Sequence, residues 1–157
     1  RSGMIELAPP ELLADVDRLH AAIAELSQRG LVLIGRRHLK SNNSWMHNIK
    51  VLVKGKPRCT LHVHPDDATT LGLLDGSNAI VKSRVGEVVI PVEVTDGIMP
   101  GVVSIPHGWG HGVEGTSMSI AAANAGVNTN ILTDAKQIDP LSGNAVLNGV
   151  PVTVTAA

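Results

Sequence analysis

Two loops hold most of the side chains in this chain that could do chemistry. The first is Gly35-Arg36-Arg37-His38-Leu39-Lys40-Ser41-Asn42-Asn43-Ser44-Trp45-Met46-His47-Asn48, with two Arg, three Asn, two Ser, two His and one Trp. A glycine directly after an apolar run lets backbone approach a ligand closely. Arginine supplies a planar fork for phosphate, and asparagine can read the edge of a heterocycle. The plain alternative is a solvated polar loop. The second loop opens Pro106-His107-Gly108-Trp109-Gly110-His111-Gly112, and six of the nineteen residues from Gly97 to Gly115 are Gly. Backbone of that kind is either mobile or pressed against something. A Trp and two His among glycines could stack on a planar ligand, or the Trp could simply anchor a surface loop. Further on, Asn128 and Asn130 point the same way if extended. Asparagine is a poor strand former, so these amides serve as ligands or as local turn makers.

Other chemistries are poorly supplied. His62 and His64 lie two apart on a strand and so share a face, which with His107 and His111 could make a metal site. No acidic ligand follows at the usual spacing. Asp66 and Asp67 fall in a helix turn after Pro65, so His64 is expected to cap that helix. Cys59 sits in an apolar strand and reads as core. No Gly-x-Ser-x-Gly, no phosphate-binding P-loop and no dinucleotide Gly-x-Gly-x-x-Gly after a strand is present. No paired carboxylates suggest an acid/base couple.

The elements that must hold these loops are mostly short strands. The exception is the start, where Pro9-Pro10-Glu11 suits a helix opening. Leu12, Val16, Leu19, Ile23 and Leu26 then recur at spacings of four and three, an amphipathic helix with a stop at Gly30 after Arg29. Its apolar stripe needs a partner. Leu31 to Ile34 and Cys59 to Val63 read as strands. Asn78 to Ser83 and Glu87 to Val94 form a hairpin around Arg84-Val85-Gly86. Val102 to Ile105 is another strand, and Val150 to Val154 is the last. A short helix starts at Pro65 and stops at Gly72, followed by an Asp75-Gly76 turn. Asp139-Pro140-Leu141-Ser142-Gly143 is a turn signature. Such a run of strands suggests a small barrel or sandwich. Its two long loops, about 35–56 and 106–149, are of a length that is often functional.

Composition narrows the class. At 157 residues there is room for one domain and hardly two. Hydrophobic residues make up 43%, enough for a core, but aromatics make up 1%, with no Tyr or Phe, so Val, Ile, Leu and Ala must fill it. That scarcity argues against single-stranded nucleic-acid binding by stacking. A net charge of −1 supplies no phosphate-backbone field. One cysteine excludes an intrachain disulfide framework and a multi-Cys cluster, and leans towards the cytosol. No apolar run approaches a membrane span. The chain opens Arg1-Ser2-Gly3-Met4 without a signal sequence. That opening suggests a piece of a longer polypeptide.

The order of motifs resembles a known family. Leu31 to Asn48 is followed by Leu61-His62-Val63-His64-Pro65-Asp66-Asp67-Ala68 and by Gly72 to Gly76. Then come Val94-Thr95-Asp96-Gly97-Ile98-Met99-Pro100-Gly101-Val102-Val103 and Pro106-His107-Gly108-Trp109. Asn128-x-Asn130-Ile131-Leu132-Thr133-Asp134 and Asp139 to Gly143 complete the series. It is similar to the C-terminal molybdopterin-dinucleotide-binding domain of the dimethyl sulfoxide reductase, formate dehydrogenase and nitrate reductase superfamily. The resemblance covers about 31–157, with 1–30 as the helical run-in from a preceding domain.

The resemblance implies a mainly β fold, a six-stranded double-psi β-barrel with short helices and an N-terminal amphipathic helix. It implies binding of a molybdopterin guanine dinucleotide carrying Mo or W in the full-length parent, and none in the isolated piece. By position, the contacts it implies are Gly35, Arg36, Arg37, Ser44, Trp45, His47 and Asn48 from the first loop, His107, Gly108 and Trp109 from the second, and Asn128 and Asn130. No residue here corresponds to a catalytic or metal-ligating one, so the piece itself is expected to be non-catalytic. The implied partners are other domains of the same chain and an iron–sulfur electron-transfer protein, with no nucleic acid and no membrane span. Cytoplasm is the expected compartment, with periplasm as the alternative. Two other functions stay open on the residues alone: a stand-alone double-psi barrel for protein interaction, and a small enzyme with a metal on His62, His64, His107 and His111.

Overall fold

The computed structural model describes residues 3–26 and 30–157. The chain divides into two compact units, Arg1–Arg29 with Ala135–Ala145, and Gly30–Asp134 with Val146–Ala157.

The first unit is helical with a turn. Helix α1, Pro10–Leu13, and helix α2, Val16–Leu26, take the place of the single expected helix. The break falls at Ala14 and Asp15, where the Asp15 carboxylate accepts from Arg18 Nε and Nη2 at 2.7 and 2.6 Å. Those bonds hold the Asp15 carboxyl below its usual range. The apolar periodicity continues across the break, which is why the pattern alone misses it. Leu12, Leu19 and Ile23 of the apolar stripe remain more than half exposed. The stop expected after Arg29 lies outside the described residues. The Asp139–Gly143 turn forms as read: Asp139 Oδ2 accepts from Ser142 N and Oγ at 3.0 and 2.6 Å, and Gly143 N donates to Asp139 O at 2.8 Å.

The second unit is mainly β. Strands β1 Val32–Arg36, β2 Leu61–Val63, β3 Asn78–Lys82, β4 Glu87–Val94, β5 Val102–Pro106, β6 Val150–Pro151 and β7 Thr153–Ala156 form one curled mixed sheet in the order β6-β1-β5-β2-β4-β3-β7. β1 runs parallel to β5, and β2 parallel to β4, while the other neighbours are antiparallel. Seven strands stand where six were expected, because the last run is divided at Val152 into β6 and β7. One stretch of chain therefore pairs with β1 on one side of the sheet and with β3 on the other.

Alternation drives the burial. In β4, Val88, Ile90 and Val92 turn inward while their neighbours face out. With Leu61, Val63, Ala79, Val81, Val103 and Ile105 they make an aliphatic core in which Trp109 is the sole aromatic. Cys59 is buried in it as read, and burial pushes its thiol up. The short helix α4, Pro65–Leu71, also forms as read. His64 caps it, Nδ1 accepting from Asp66 N at 3.2 Å, and Gly72 ends it in the left-handed region at φ +65°. The long loops are not structureless: helices Lys50–Val53 and Ser119–Ala123 (α3 here, and α5 after α4) and a 3-10 turn at Thr129–Leu132 interrupt them. Among the described residues no helix is long and apolar enough to cross a membrane.

Candidate functional site

Because β1 and β5 are parallel, the loops that leave their C-terminal ends emerge side by side. In parallel pairs this end is where chain diverges and concave sites form. Here Gly35, at the end of β1, and His107, just after β5, face the 3-10 turn across a cleft that Arg37, Asn130, Thr133 and Asn148 also line. Arg37 is steered by a hydrogen bond from its guanidinium to Asn43 Oδ1. Asn43 adopts φ +60°, a conformation that asparagine tolerates better than most residues. Gly35 N donates to Asn148 Oδ1 at 2.8 Å. One cation, two side-chain amides and two hydroxyls thus converge on a cleft walled by Leu33 and Ile34. That set can bind an anionic, heterocyclic ligand by charge and by edge-on hydrogen bonds.

Four of the twelve expected contact residues line this cleft: Gly35, Arg37, His107 and Asn130. The others lie elsewhere. Arg36 turns away from the cleft, and its guanidinium donates to Ser104 O at 2.5 Å and to Thr60 O and Oγ1 at 2.7 and 3.0 Å. Burial lowers it to about 10, with Glu93 opposing the shift. Thr60 Oγ1 passes the chain on, donating to Glu93 Oε2 at 2.7 Å. Arg36 is therefore a tie between strands. Asn48 Oδ1 accepts from Ile120 N and Ala121 N, both at 3.1 Å, and so caps α5. Asn128 Oδ1 accepts from Asn130 N at 3.0 Å and caps the 3-10 turn, the turn-making role. Trp45 is 82% exposed, and Ser44 is half-buried beside it.

His47, Gly108 and Trp109 form a second group behind the cleft's loops. The His47 and Trp109 rings stack with centroids 3.9 Å apart, and His47 Nδ1 lies 2.7 Å from His111 Nε2. Burial, with His111 alongside, pulls His47 down to about 4. A Cβ on Gly108 would lie 2.2 Å from the Asn43 carbonyl oxygen, and one on Gly110 would lie 2.6 Å from Asn128 Cβ. The glycines are thus pressed against neighbouring loops of this same unit. The four histidines offered for a metal have separate surroundings: His62 Nε2 is 3.5 Å from Glu93 Oε2, His64 caps α4, His107 lines the cleft, and His111 meets His47. Among the described residues no cluster of three or more His, Cys, Asp or Glu could hold a metal.

Two cleft residues escape a reading by motif. Thr133 sits in the Asn-rich series but carries no distinctive chemistry by type. Asn148 precedes Gly149, which adopts φ +74°, so Asn-Gly there reads as a turn.

The family model described as molydopterin dinucleotide binding domain matches residues 31–151. A tetrathionate reductase subunit of Salmonella typhimurium is 30% identical over 116 residues, 63% of this chain and 11% of that protein. The arsenate respiratory reductase molybdopterin-containing subunit of Chrysiogenes arsenatis is 26% identical over 145 residues, 89% of this chain and 16% of that protein. The chain thus spans a small part of the length of these relatives. Acetylene hydratase from Pelobacter acetylenicus shares the fold at a TM-score of 0.69 and 21% identity, over 91% of this chain and 20% of that one.

Proposed function

The chain belongs to the molydopterin dinucleotide binding domain family, and on that premise we propose that it covers one side of a molybdenum or tungsten bis(guanine dinucleotide) cofactor in a larger oxidoreductase. The observation that carries this reading is the cleft at the ends of β1 and β5. Its donor set suits the ligand: Arg37 for phosphate, the Asn130 and Asn148 amides for polar edges, and Gly35 for close approach of backbone. Among the described residues the Asn130 side chain has no hydrogen-bond partner, and it is exposed at the cleft. When bound, the metal and its pterins supply the two-electron chemistry. The residues of this chain bind and orient the dinucleotide and shield it from water.

The curled sheet supports a six-stranded double-psi β-barrel, since β6 and β7 are one run interrupted at Val152. We read 31–157 as the cofactor domain and 1–30 as the run-in from a preceding one. Its partners are then the other domains of the parent chain, with an iron–sulfur protein for electrons, and its compartment the cytoplasm.

The test uses the full-length protein. Released pterin, molybdenum and tungsten are measured per polypeptide, then again in Arg37→Ala and Asn130→Ala. Loss of a charge-assisted contact of about 1.5–3 kcal/mol weakens binding roughly tenfold or more, so cofactor content falls in Arg37→Ala. Full-length protein without pterin, or unchanged content in both variants, would overturn the proposal.

A further inference from the structure

We infer that Asn148 is a specificity-determining residue of the cleft, offering the ligand the two N–H donors of its amide; the inference rests on the cofactor reading of that cleft. A side-chain amide has one acceptor end and one donor end, and what it presents depends on which end is already engaged. At Asn148 the answer is fixed by backbone chemistry. Gly35 N donates to the Asn148 carbonyl oxygen at 2.8 Å. The amide cannot be reversed, because an N–H would then face an N–H. Its NH2 group has no partner among the described residues, and Asn148 lines the cleft. That NH2 is the donor it can give to a ligand.

Two further observations fit this role. The same hydrogen bond satisfies the amide of Gly35, whose backbone forms the cleft wall, and a Cβ on Gly35 would come to 3.5 Å from the Asn148 oxygen. Asn148 therefore shapes the wall with one end and faces the ligand with the other. Arg37 lines the same cleft and is likewise donor-only. The ligand groups these two side chains suit are acceptors, as phosphoryl and ring carbonyl oxygens of a dinucleotide are.

Asn148→Asp separates the two ends. The carboxylate keeps an acceptor for Gly35 N but turns the donor into an acceptor, whereas Asn148→Ala removes both. In full-length protein we measure the rate at which pterin is lost, by fluorescence of the oxidised pterin after gel filtration, together with the unfolding temperature of each protein after its pterin has been removed. Asn148→Asp is expected to release pterin at least about tenfold faster while unfolding at the temperature of the unsubstituted protein. Asn148→Ala is expected to lose both. Retention of pterin in Asn148→Asp at the unsubstituted rate would overturn the inference and leave Asn148 a purely structural tie. An Asp variant that unfolds as early as the Ala variant would overturn it too, since the Gly35 bond would not have been kept. Absence of pterin from the unsubstituted protein is a different failure, visible before any variant is made: it removes the cofactor reading, and this inference with it.

Discussion

Gly108→Ala tests whether the cleft is held open by contact between its own loops. Gly108 adopts φ +90°, where an L side chain is strained by about 1–2 kcal/mol. A Cβ there would also lie 2.2 Å from the Asn43 carbonyl oxygen and 2.6 Å from its carbon. Backbone atoms cannot swing aside as a flexible side chain would, so the loops must separate, at a further cost of about 1–3 kcal/mol. Together the two effects cost about 2–5 kcal/mol, or a drop of about 1–2.5 M in urea midpoint at an m of roughly 2 kcal/mol/M. Gly115→Ala is the matched control: its φ is +83°, but nothing lies within 4 Å of a Cβ there. It should show the conformational cost alone, about 0.5–1 M at the same m. The assay is equilibrium urea unfolding of both variants, followed by circular dichroism. Equal midpoints would refute the reasoning, because the loop contact would then contribute nothing. Asn43 also receives the Arg37 guanidinium, so the same substitution should disturb the cleft's cation.

Two further outcomes are expected. His47 is held neutral by burial, at about 4 against an ordinary value of 6.5, so the unfolded chain binds its proton first. Its contribution is fully present above pH 6.5 and is lost as pH falls towards 4, by up to about 3 kcal/mol in total. His38 and His62, also lowered chiefly by burial, act in the same sense. Urea midpoints measured from pH 7 to 4 should fall, and fall less in His47→Gln; an equal fall in that variant would refute the assignment. Arg36→Lys keeps a charge but loses the fork that reaches Ser104 and Thr60, so stability should drop by about 2–4 kcal/mol. Pterin per folded polypeptide in the full-length protein should stay unchanged; a fall there without loss of stability would make Arg36 a ligand contact.

The strands were legible because their chemistry is local. Runs such as Val102-Val103-Ser104-Ile105 and the alternation of Val88, Ile90 and Val92 express burial directly in residue type. So were the caps of α4, where His64, Pro65 and Gly72 are a few positions apart. The site was less legible, because identical side chains do different work there. Asn48 caps a helix 72 residues away, Asn128 caps its own turn, and Asn130 is left to face the cleft. Nothing in the letter N distinguishes them. Arg36 and Arg37 could have been told apart by parity, since successive strand residues face opposite sides and Arg36 closes a strand. The break between α1 and α2 is hidden because the apolar spacing runs straight through it, although Asp15, directly before Val16, is a residue type favoured at a helix start.

The division of the last run at Val152 also bears on when this domain can fold. β6 meets β1 more than a hundred residues upstream, and β7 meets β3 about seventy-five residues upstream. Both sides of the sheet thus wait for the same seven residues, Val150 to Ala156, which are made after everything they pair with. Pairings so distant along the chain are slow to form, since much loop entropy is lost before they close. On a ribosome, β1 keeps an unpaired side until residue 151 has cleared the exit, and β3 until residue 156 has. Exposed strand edges of that kind invite association with other chains. The domain's solubility during synthesis therefore depends on how soon its final strand is delivered.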